Sequence, residues 1–260
     1  MDSIFKDIVE LEKQAKSGAL CTVVKTSGST PRHSTSKMLV YPNGSIKGSV
    51  GGGELENRVI QEAITSITSK IPKLLEYSMV DPERGDVGNC GGQVMVFIEP
   101  ITPAAMIVVI GAGHVGKAVV QLSKWLGFRV AVSDDRPGFC TPESVPDADL
   151  HFPCDMKQLP ENLAITDQTF LILTTRGAST DIEGLPSLMQ SDAAYIGVIG
   201  SKRRWHETEK QLLAQGISEA DLSKIYSPIG MKINSESPEE IALSILAEIL
   251  SETRKGIKES

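Results

Sequence analysis

The groups best suited to chemistry in this chain stand among glycines. Cys90 lies in the run Gly88-Asn89-Cys90-Gly91-Gly92. A thiolate is both a soft metal ligand and a strong nucleophile, and neighbours without side chains let a bulky group approach it closely. Gly51, Gly52 and Gly53 run into Glu54 at the start of an expected helix, 54–69. Backbone N–H groups left free at a glycine-rich helix start form a cradle for an anion, and Glu54 and Glu56 suit the first turn through the helix dipole. Gly111, Gly113 and Gly116 follow the apolar run 106–110 in G-x-G-x-x-G spacing, with His114 inside the motif. Gly111 serves a tight turn, Gly113 leaves room for a phosphate against backbone, and Gly116 lets helix and strand pack closely. Asp134 and Asp135 end the next apolar run, where an acid holds ribose hydroxyls. Arg176 and the stretch Ser201-Lys202-Arg203-Arg204 follow later apolar runs, where cations can meet phosphate.

These residues need elements to position them. The run 106–110 is too short for a free-standing helix and rich in β-branched residues, so it reads as a strand buried on both faces. Val115, Ala118, Val119, Leu122 and Leu126 lie along one face of the helix that follows, Gly127 ends it, and 128–132 is the next strand. Further strands are expected at 149–152, 169–173, 194–199 and 224–226, and a last helix opens on the capping box Ser237-Pro238-Glu239-Glu240. That pattern is a C-terminal Rossmann-like, doubly wound parallel sheet over 104–260. Before it, 1–100 reads as a smaller α/β domain: a helix at 2–16, strands at 20–25, 38–41, 45–49, 73–80 and 93–99, and the helix 54–69. Pro42-Asn43-Gly44 is a hairpin turn, with Asn43-Gly44 supplying positive φ angles. Residues 100–103 read as a linker. The polar stretch 27–37, with Arg32 and His33, reads as a solvated loop or a second cluster of functional groups.

Composition bounds the partners. The 260 residues carry 40% hydrophobic and 23% charged side chains, as in a soluble globular chain. A net charge of -7 argues against nucleic-acid binding through general basicity. No apolar run is long enough to span a bilayer, and the acidic, amphipathic start is unlike a secretory signal. The four cysteines, Cys21, Cys90, Cys140 and Cys154, contain no C-x-x-C pair. A cytoplasmic protein with free thiols is expected.

Taken together, Gly51-Gly52-Gly53-Glu54, Cys90-Gly91-Gly92, Gly111-Ala112-Gly113-His114-Val115-Gly116 and Tyr195-Ile196-Gly197-Val198-Ile199-Gly200-Ser201-Lys202-Arg203-Arg204 resemble the XdhC/CoxI family. Ser227-Pro228-Ile229-Gly230 and Ser237-Pro238-Glu239-Glu240-Ile241-Ala242 add to the likeness, which covers nearly the whole chain in the expected order. The resemblance implies a non-enzymatic accessory protein of xanthine dehydrogenase or a related molybdenum hydroxylase. Such a protein binds the molybdenum cofactor (molybdopterin), protects it while a cysteine desulfurase supplies sulfur, and passes it to the apo-hydroxylase. It further implies cofactor contacts at Cys90, the family's metal-associated cysteine, and at the 51–54 motif, together with a homodimer and a role in purine catabolism. A soft thiolate and two backbone anion cradles suit a thio-ligated metal with a phosphate tail. One segment departs: many members carry a histidine after the fourth strand of the Rossmann half, where this chain has Thr174-Thr175-Arg176-Gly177.

Two other readings compete. An NAD(P)-dependent oxidoreductase would use Gly111, Gly113, His114, Gly116 and Asp134, but no catalytic pair for hydride transfer is evident. A zinc site from Cys140, His151 and Cys154 matches no usual ligand spacing and lacks a fourth ligand.

Overall fold

The computed structural model describes residues 4–28, 34–79, 87 and 91–253. The chain divides into two compact units, Met1–Pro103 and Ala104–Ser260, each with its own sheet.

The N-terminal unit holds α1 (Ile4–Lys13), β1 (Gly18–Ser27), β2 (Lys37–Val40), β3 (Ile46–Gly48), α2 (Gly53–Ser69), β4 (Lys73–Ser78) and β5 (Gln93–Ile101). Its strands form a five-stranded antiparallel sheet in the order β3-β2-β1-β5-β4. Alternation puts Ala19, Cys21 and Val23 of β1 and Val94, Val96 and Ile98 of β5 into one core. Helix α2 meets it with Leu55, Val59, Ala63 and Ser66, one residue per turn. Two details differ from expectation. In the β2–β3 turn only Gly44 takes a positive φ, +81°, with its N–H on Tyr41 O at 2.9 Å. This is a three-residue loop with glycine in the left-handed position rather than a two-residue turn that would need Asn43 there as well. Strand β5 also runs on through Pro100 and Ile101, paired with Ala19 and Gly18, so the expected linker shrinks to its last residues.

The C-terminal unit is a six-stranded parallel sheet in the order β11-β10-β9-β6-β7-β8. Its strands are β6 (Met106–Ile110), β7 (Arg129–Ser133), β8 (Leu150–Phe152), β9 (Thr169–Leu173), β10 (Tyr195–Val198) and β11 (Ile225–Tyr226). Its helices are α3 (His114–Trp125), α4 (Leu159–Asn162), α5 (Ala178–Met189), α6 (Lys202–Ala214), α7 (Glu219–Leu222) and α8 (Pro238–Thr253). Successive residues of the central strands go to opposite cores. Ile107, Val109, Val130, Val132, Phe170 and Ile172 pack with α3 and α8. Met106, Val108, Ile110, Ala131, Leu171 and Leu173 pack with α5 and α6. Helices on both faces explain the unbroken apolar run of β6, buried at all five positions. The chain therefore comprises a smaller α/β unit and a doubly wound Rossmann-like unit. The chain steps outward from β6 to β7 and β8, then crosses back to β9 on the other side of β6. That reversal opens a crevice beyond the carboxyl ends of β6 and β9.

Candidate functional site

The glycine turn at this crevice has the tight packing its spacing implies. Gly111 takes φ +109°, and a Cβ there would lie 2.6 Å from Thr174 O. A Cβ on Gly116 would sit 1.9 Å from Gly111 O. Thr174 clamps the turn, its hydroxyl donating to Gly111 O at 2.6 Å and its N–H to Ile110 O at 2.8 Å. Gly113 is different: a Cβ there would meet nothing within 4 Å. It precedes an α3 start that no side chain caps, so the first N–H groups of α3 are open to an anion. His114, the first residue of α3, is exposed. It lines a separate groove with Lys117, Pro146, Asp147 and Glu239, away from the acids at the end of β7.

Asp134 has a different occupation from the expected one. Its side chain is 2% exposed. Oδ2 accepts the Ala112 N–H at 2.7 Å and Arg136 Nη2 at 2.6 Å, and Oδ1 accepts Arg136 Nε at 2.8 Å and Arg136 N at 3.0 Å. Arg136 in turn lies 3.7 Å over the Phe139 ring. Burial alone would raise the carboxyl pKa, but the bonds from Arg136 and Ala112 outweigh it and hold Asp134 below the ordinary range. The carboxylate thus braces the glycine turn from 22 residues away, and its lone pairs are engaged within the chain. Asp135 beside it stays half-exposed, paired with Arg176 at 3.1 and 3.4 Å.

These residues border a cavity of about 190 Å³. Ser133, Asp135, Cys154, Asp155, Met156 and Thr180 contribute to its wall. Of these, sequence pattern marks Asp135 as a strand-end acid and Cys154 only as a zinc candidate. Cys154 and Asp155 arrive through the loop after β8, and the available signal is their position just past a strand's carboxyl end.

The cationic stretch at α6 separates into parts. Ser201 caps the helix, accepting the Arg204 N–H at 3.2 Å. Arg204 is a structural cation: Nη2 donates to Asp181 Oδ2 at 2.6 Å and to Thr175 Oγ1 at 2.9 Å, and the Thr175 hydroxyl donates to Asp181. Asp181 is wholly buried. Burial holds its carboxyl above the usual range despite these bonds. Lys202 and Arg203 remain exposed.

In the N-terminal unit the glycine run does form a nest, and the chain fills it. Gly51, Gly52 and Gly53 all have positive φ. Glu56, not Glu54, turns back into the loop: its Oε2 accepts Ser49 Oγ at 2.6 Å and the N–H groups of Val50 and Gly52 at 3.2 Å. Glu54 points outward to Arg58 Nε, 2.9 Å away. An acid in the first turn close behind a serine is the available signal, but two glutamates meet it equally. Cys90, Arg32 and His33 lie outside the described residues. Next to Cys90, Gly91 takes φ +79° with open space where a Cβ would go, and its N–H donates to Met79 O at 2.8 Å. Gly28 packs on this backbone, its would-be Cβ 2.8 Å from Gly91 O.

The other thiols are less available. Cys21 is fully buried, and burial pushes its thiol up to about 12. Cys140 is buried and donates to Val132 O at 3.3 Å. His151 Nε2 lies 2.9 Å from Val145 O. The zinc reading of Cys140, His151 and Cys154 finds no support: among the described residues no group of three or more His, Cys, Asp or Glu side chains is arranged to hold a metal ion. Nor is any described helix long and apolar enough to cross a membrane.

Comparison with known proteins adds the following. Residues 107–249 match the XdhC Rossmann domain and residues 11–78 match the XdhC and CoxI family. The uncharacterized protein YqeB of Escherichia coli K12 is 35% identical over 250 residues, 95% of this chain and 46% of YqeB. A probable xanthine dehydrogenase subunit of Bacillus subtilis 168 is 33% identical over 162 residues, 62% of this chain and 47% of that protein. The molybdenum cofactor insertion chaperone PaoD of Escherichia coli K12 is 22% identical over 279 residues, 96% of this chain and 87% of PaoD. The chain spans about half the length of the first two relatives. A crystal structure described as a xanthine dehydrogenase from Bacillus halodurans shares the fold, with a TM-score of 0.52, 21% identity and coverage of 97% and 96% of the two chains.

Proposed function

Because the chain belongs to the XdhC and CoxI family, we propose that it is an accessory protein that carries the molybdenum cofactor to xanthine dehydrogenase or a related molybdenum hydroxylase. The observation that carries this reading is the joint match of both units to that family, joined to likeness along nearly the whole chain with a molybdenum cofactor insertion chaperone. In this reading the cofactor is cargo and the protein is not an enzyme. Cys90 supplies a thiolate to the metal. The open space beside Gly91 makes room for the dithiolene, and the cargo is held while a cysteine desulfurase exchanges one oxo ligand for sulfur. The protein acts as a cytoplasmic homodimer. Its own side chains support a carrier better than a hydride-transfer enzyme: Asp134, the acid a dinucleotide's ribose would need, is engaged by Ala112 and Arg136.

Expression in a host that makes molybdopterin, followed by extraction and fluorescence of the pterin, tests the reading. The wild-type protein is expected to retain cofactor near one per chain and Cys90→Ala to lose most of it. Equal retention by the alanine variant refutes the role of Cys90. Failure to capture an apo-hydroxylase from the same host refutes the delivery step.

A further inference from the structure

We infer that the open edge of the N-terminal sheet, strand β4, is the seam at which two copies of this chain pair. The two β4 strands run antiparallel across a two-fold axis, with Leu74 of each copy opposite the partner's Glu76. The inference gives the homodimer of the carrier reading its interface. It rests on that homodimer alone, not on Cys90 or the cofactor.

The edges of the two sheets are unequal. β3 and β8 have three residues each and β11 has two, whereas β4 has six. A short edge offers few unpaired backbone groups, and a long one is a template for another strand. Which groups of β4 are free follows from its pairing with β5. Just past the strand, the Met79 N–H donates to Gly92 O at 2.9 Å and Met79 O accepts the Gly91 N–H at 2.8 Å. In an antiparallel ladder both backbone groups of a residue point the same way, and successive residues alternate. The register runs unbroken from Ser78 opposite Gln93 to Lys73 opposite Ile98. Lys73, Leu75 and Tyr77 therefore bond β5, and Leu74, Glu76 and Ser78 point to the open side. At Ser78 that side is occupied, since its O accepts the Val87 N–H at 3.0 Å. Leu74 and Glu76 have no backbone partner there among the described residues.

The side chains agree. Leu74 is 60% exposed. Leu75 and Tyr77 pack against the core but stay only half-buried. They line a groove with Ile60 and Gln61 of α2, and a strand added at β4 would flank it.

The chemistry of the edge selects a second copy and its register. A two-fold pairing is self-complementary, each copy giving what it receives. Only the outward residues can bond the copy. Glu76 opposite the partner's Glu76 sets like charges face to face and brings Leu74 to the partner's Ser78, whose carbonyl is engaged. Leu74 opposite the partner's Leu74 brings Glu76 to the partner's Pro72, which has no N–H to return. Leu74 opposite the partner's Glu76 meets neither obstacle. It occurs on both sides of the axis, so every free N–H and C=O of these residues is paired. Leu75 then faces the partner's Leu75 on the axis itself, in the closer kind of cross-strand pair.

Sedimentation equilibrium of the full chain over about 1–100 µM tests the seam, because a small interface associates weakly. The wild type is expected to dimerise within that range. Leu74→Lys and Leu74→Glu each exchange one exposed leucine for a charge, and circular dichroism checks that both fold. In the inferred register the lysine meets the partner's Glu76 and the glutamate is repelled by it. The two dissociation constants are expected to differ about tenfold or more, with Leu74→Lys the tighter. Leu75→Cys is expected to form a reducible cross-link under mild oxidation, beyond any that wild type forms, because the facing Cα atoms of such a pair, about 4.5 Å apart, lie within disulfide reach. A chain that is monomeric throughout overturns the seam together with the homodimer and leaves the edge to a strand of another protein. A dimer that Leu74→Lys and Leu74→Glu affect equally, or in which Leu74→Cys cross-links in place of Leu75→Cys, overturns the seam and leaves the homodimer standing.

Discussion

Replacing Glu56 by alanine separates two meanings of the glycine loop at 51–53. If the nest exists to hold a foreign anion, Glu56 is a bystander. If the chain's own carboxylate is its occupant, removal leaves the N–H groups of Val50 and Gly52 and the Ser49 hydroxyl without an acceptor. Val50 is 1% exposed, so water replaces little of what is lost there. Hydrogen bonds to a charged group contribute roughly 1.5–3 kcal/mol, and contacts sharing one oxygen do not add. The expected loss is therefore about 2 kcal/mol. For a unit of this size that lowers the midpoint by roughly 10 °C, at about 4–8 °C per kcal/mol. Urea unfolding followed by circular dichroism, with thermal melts alongside, measures both. Inorganic phosphate supplies the sharper test. The emptied nest becomes an anion site, so phosphate at about ten times its dissociation constant restores roughly 1.4 kcal/mol to the variant and little to wild type. A loss under about 0.5 kcal/mol, the usual range for surface substitutions, refutes the structural role. Equal stabilisation of both proteins by phosphate refutes the reasoning that Glu56 occupies the nest.

Four further outcomes follow. Gly116→Ala places a methyl 1.9 Å from the Gly111 carbonyl and is expected to cost about 3 kcal/mol or more or to leave the protein insoluble, where Gly113→Ala, in open space, should cost under about 1 kcal/mol by urea titration. Arg204→Ala strands the buried Asp181 carboxylate and should cost about 3 kcal/mol; a loss under about 1 kcal/mol would show that water reaches Asp181. Asp134 is held below the ordinary carboxyl range in the folded state, so its contribution is present above the unfolded value of 3.8 and is lost as pH falls through the native one. Arg136→Leu should therefore flatten the acid limb of the stability curve, and an unchanged limb would contradict the pairing. Titration with NADH and NADPH should reveal no turnover-competent complex, because Asp134 is engaged; tight binding with hydride transfer would restore the oxidoreductase reading.

Much of the C-terminal unit is legible because burial on both faces leaves few sequence solutions. The run 106–110, the glycine spacing and the apolar runs at 169–173 and 194–199 all point to one architecture. Helix α5 is not legible in the same way. Gly184 and Pro186, both poor helix formers, lie inside it, and Gly184 is there for a neighbour: a Cβ would lie 2.4 Å from Met156 Sδ. The site is harder still. An aspartate at the end of a second strand looks the same whether it awaits a ribose or already holds the Ala112 N–H. In the N-terminal unit the pattern marks a nest and two nearby glutamates, but only the backbone path over Gly51–Gly53 selects Glu56. Type and spacing locate such groups; partners far away in the chain decide what remains free.

The strand order of the N-terminal unit has a consequence for synthesis. β1 finds β2 within a short stretch, but its other neighbour is β5, with Gly18 waiting for Ile101. On the ribosome, at roughly 5–20 residues per second, one flank of β1 stays bare for several seconds while the intervening polypeptide emerges. The backbone N–H and C=O groups along that flank stay unpaired throughout the interval. A flank left open this long is a template for wrong pairings, and holdases that shield nascent chains would find a substrate there.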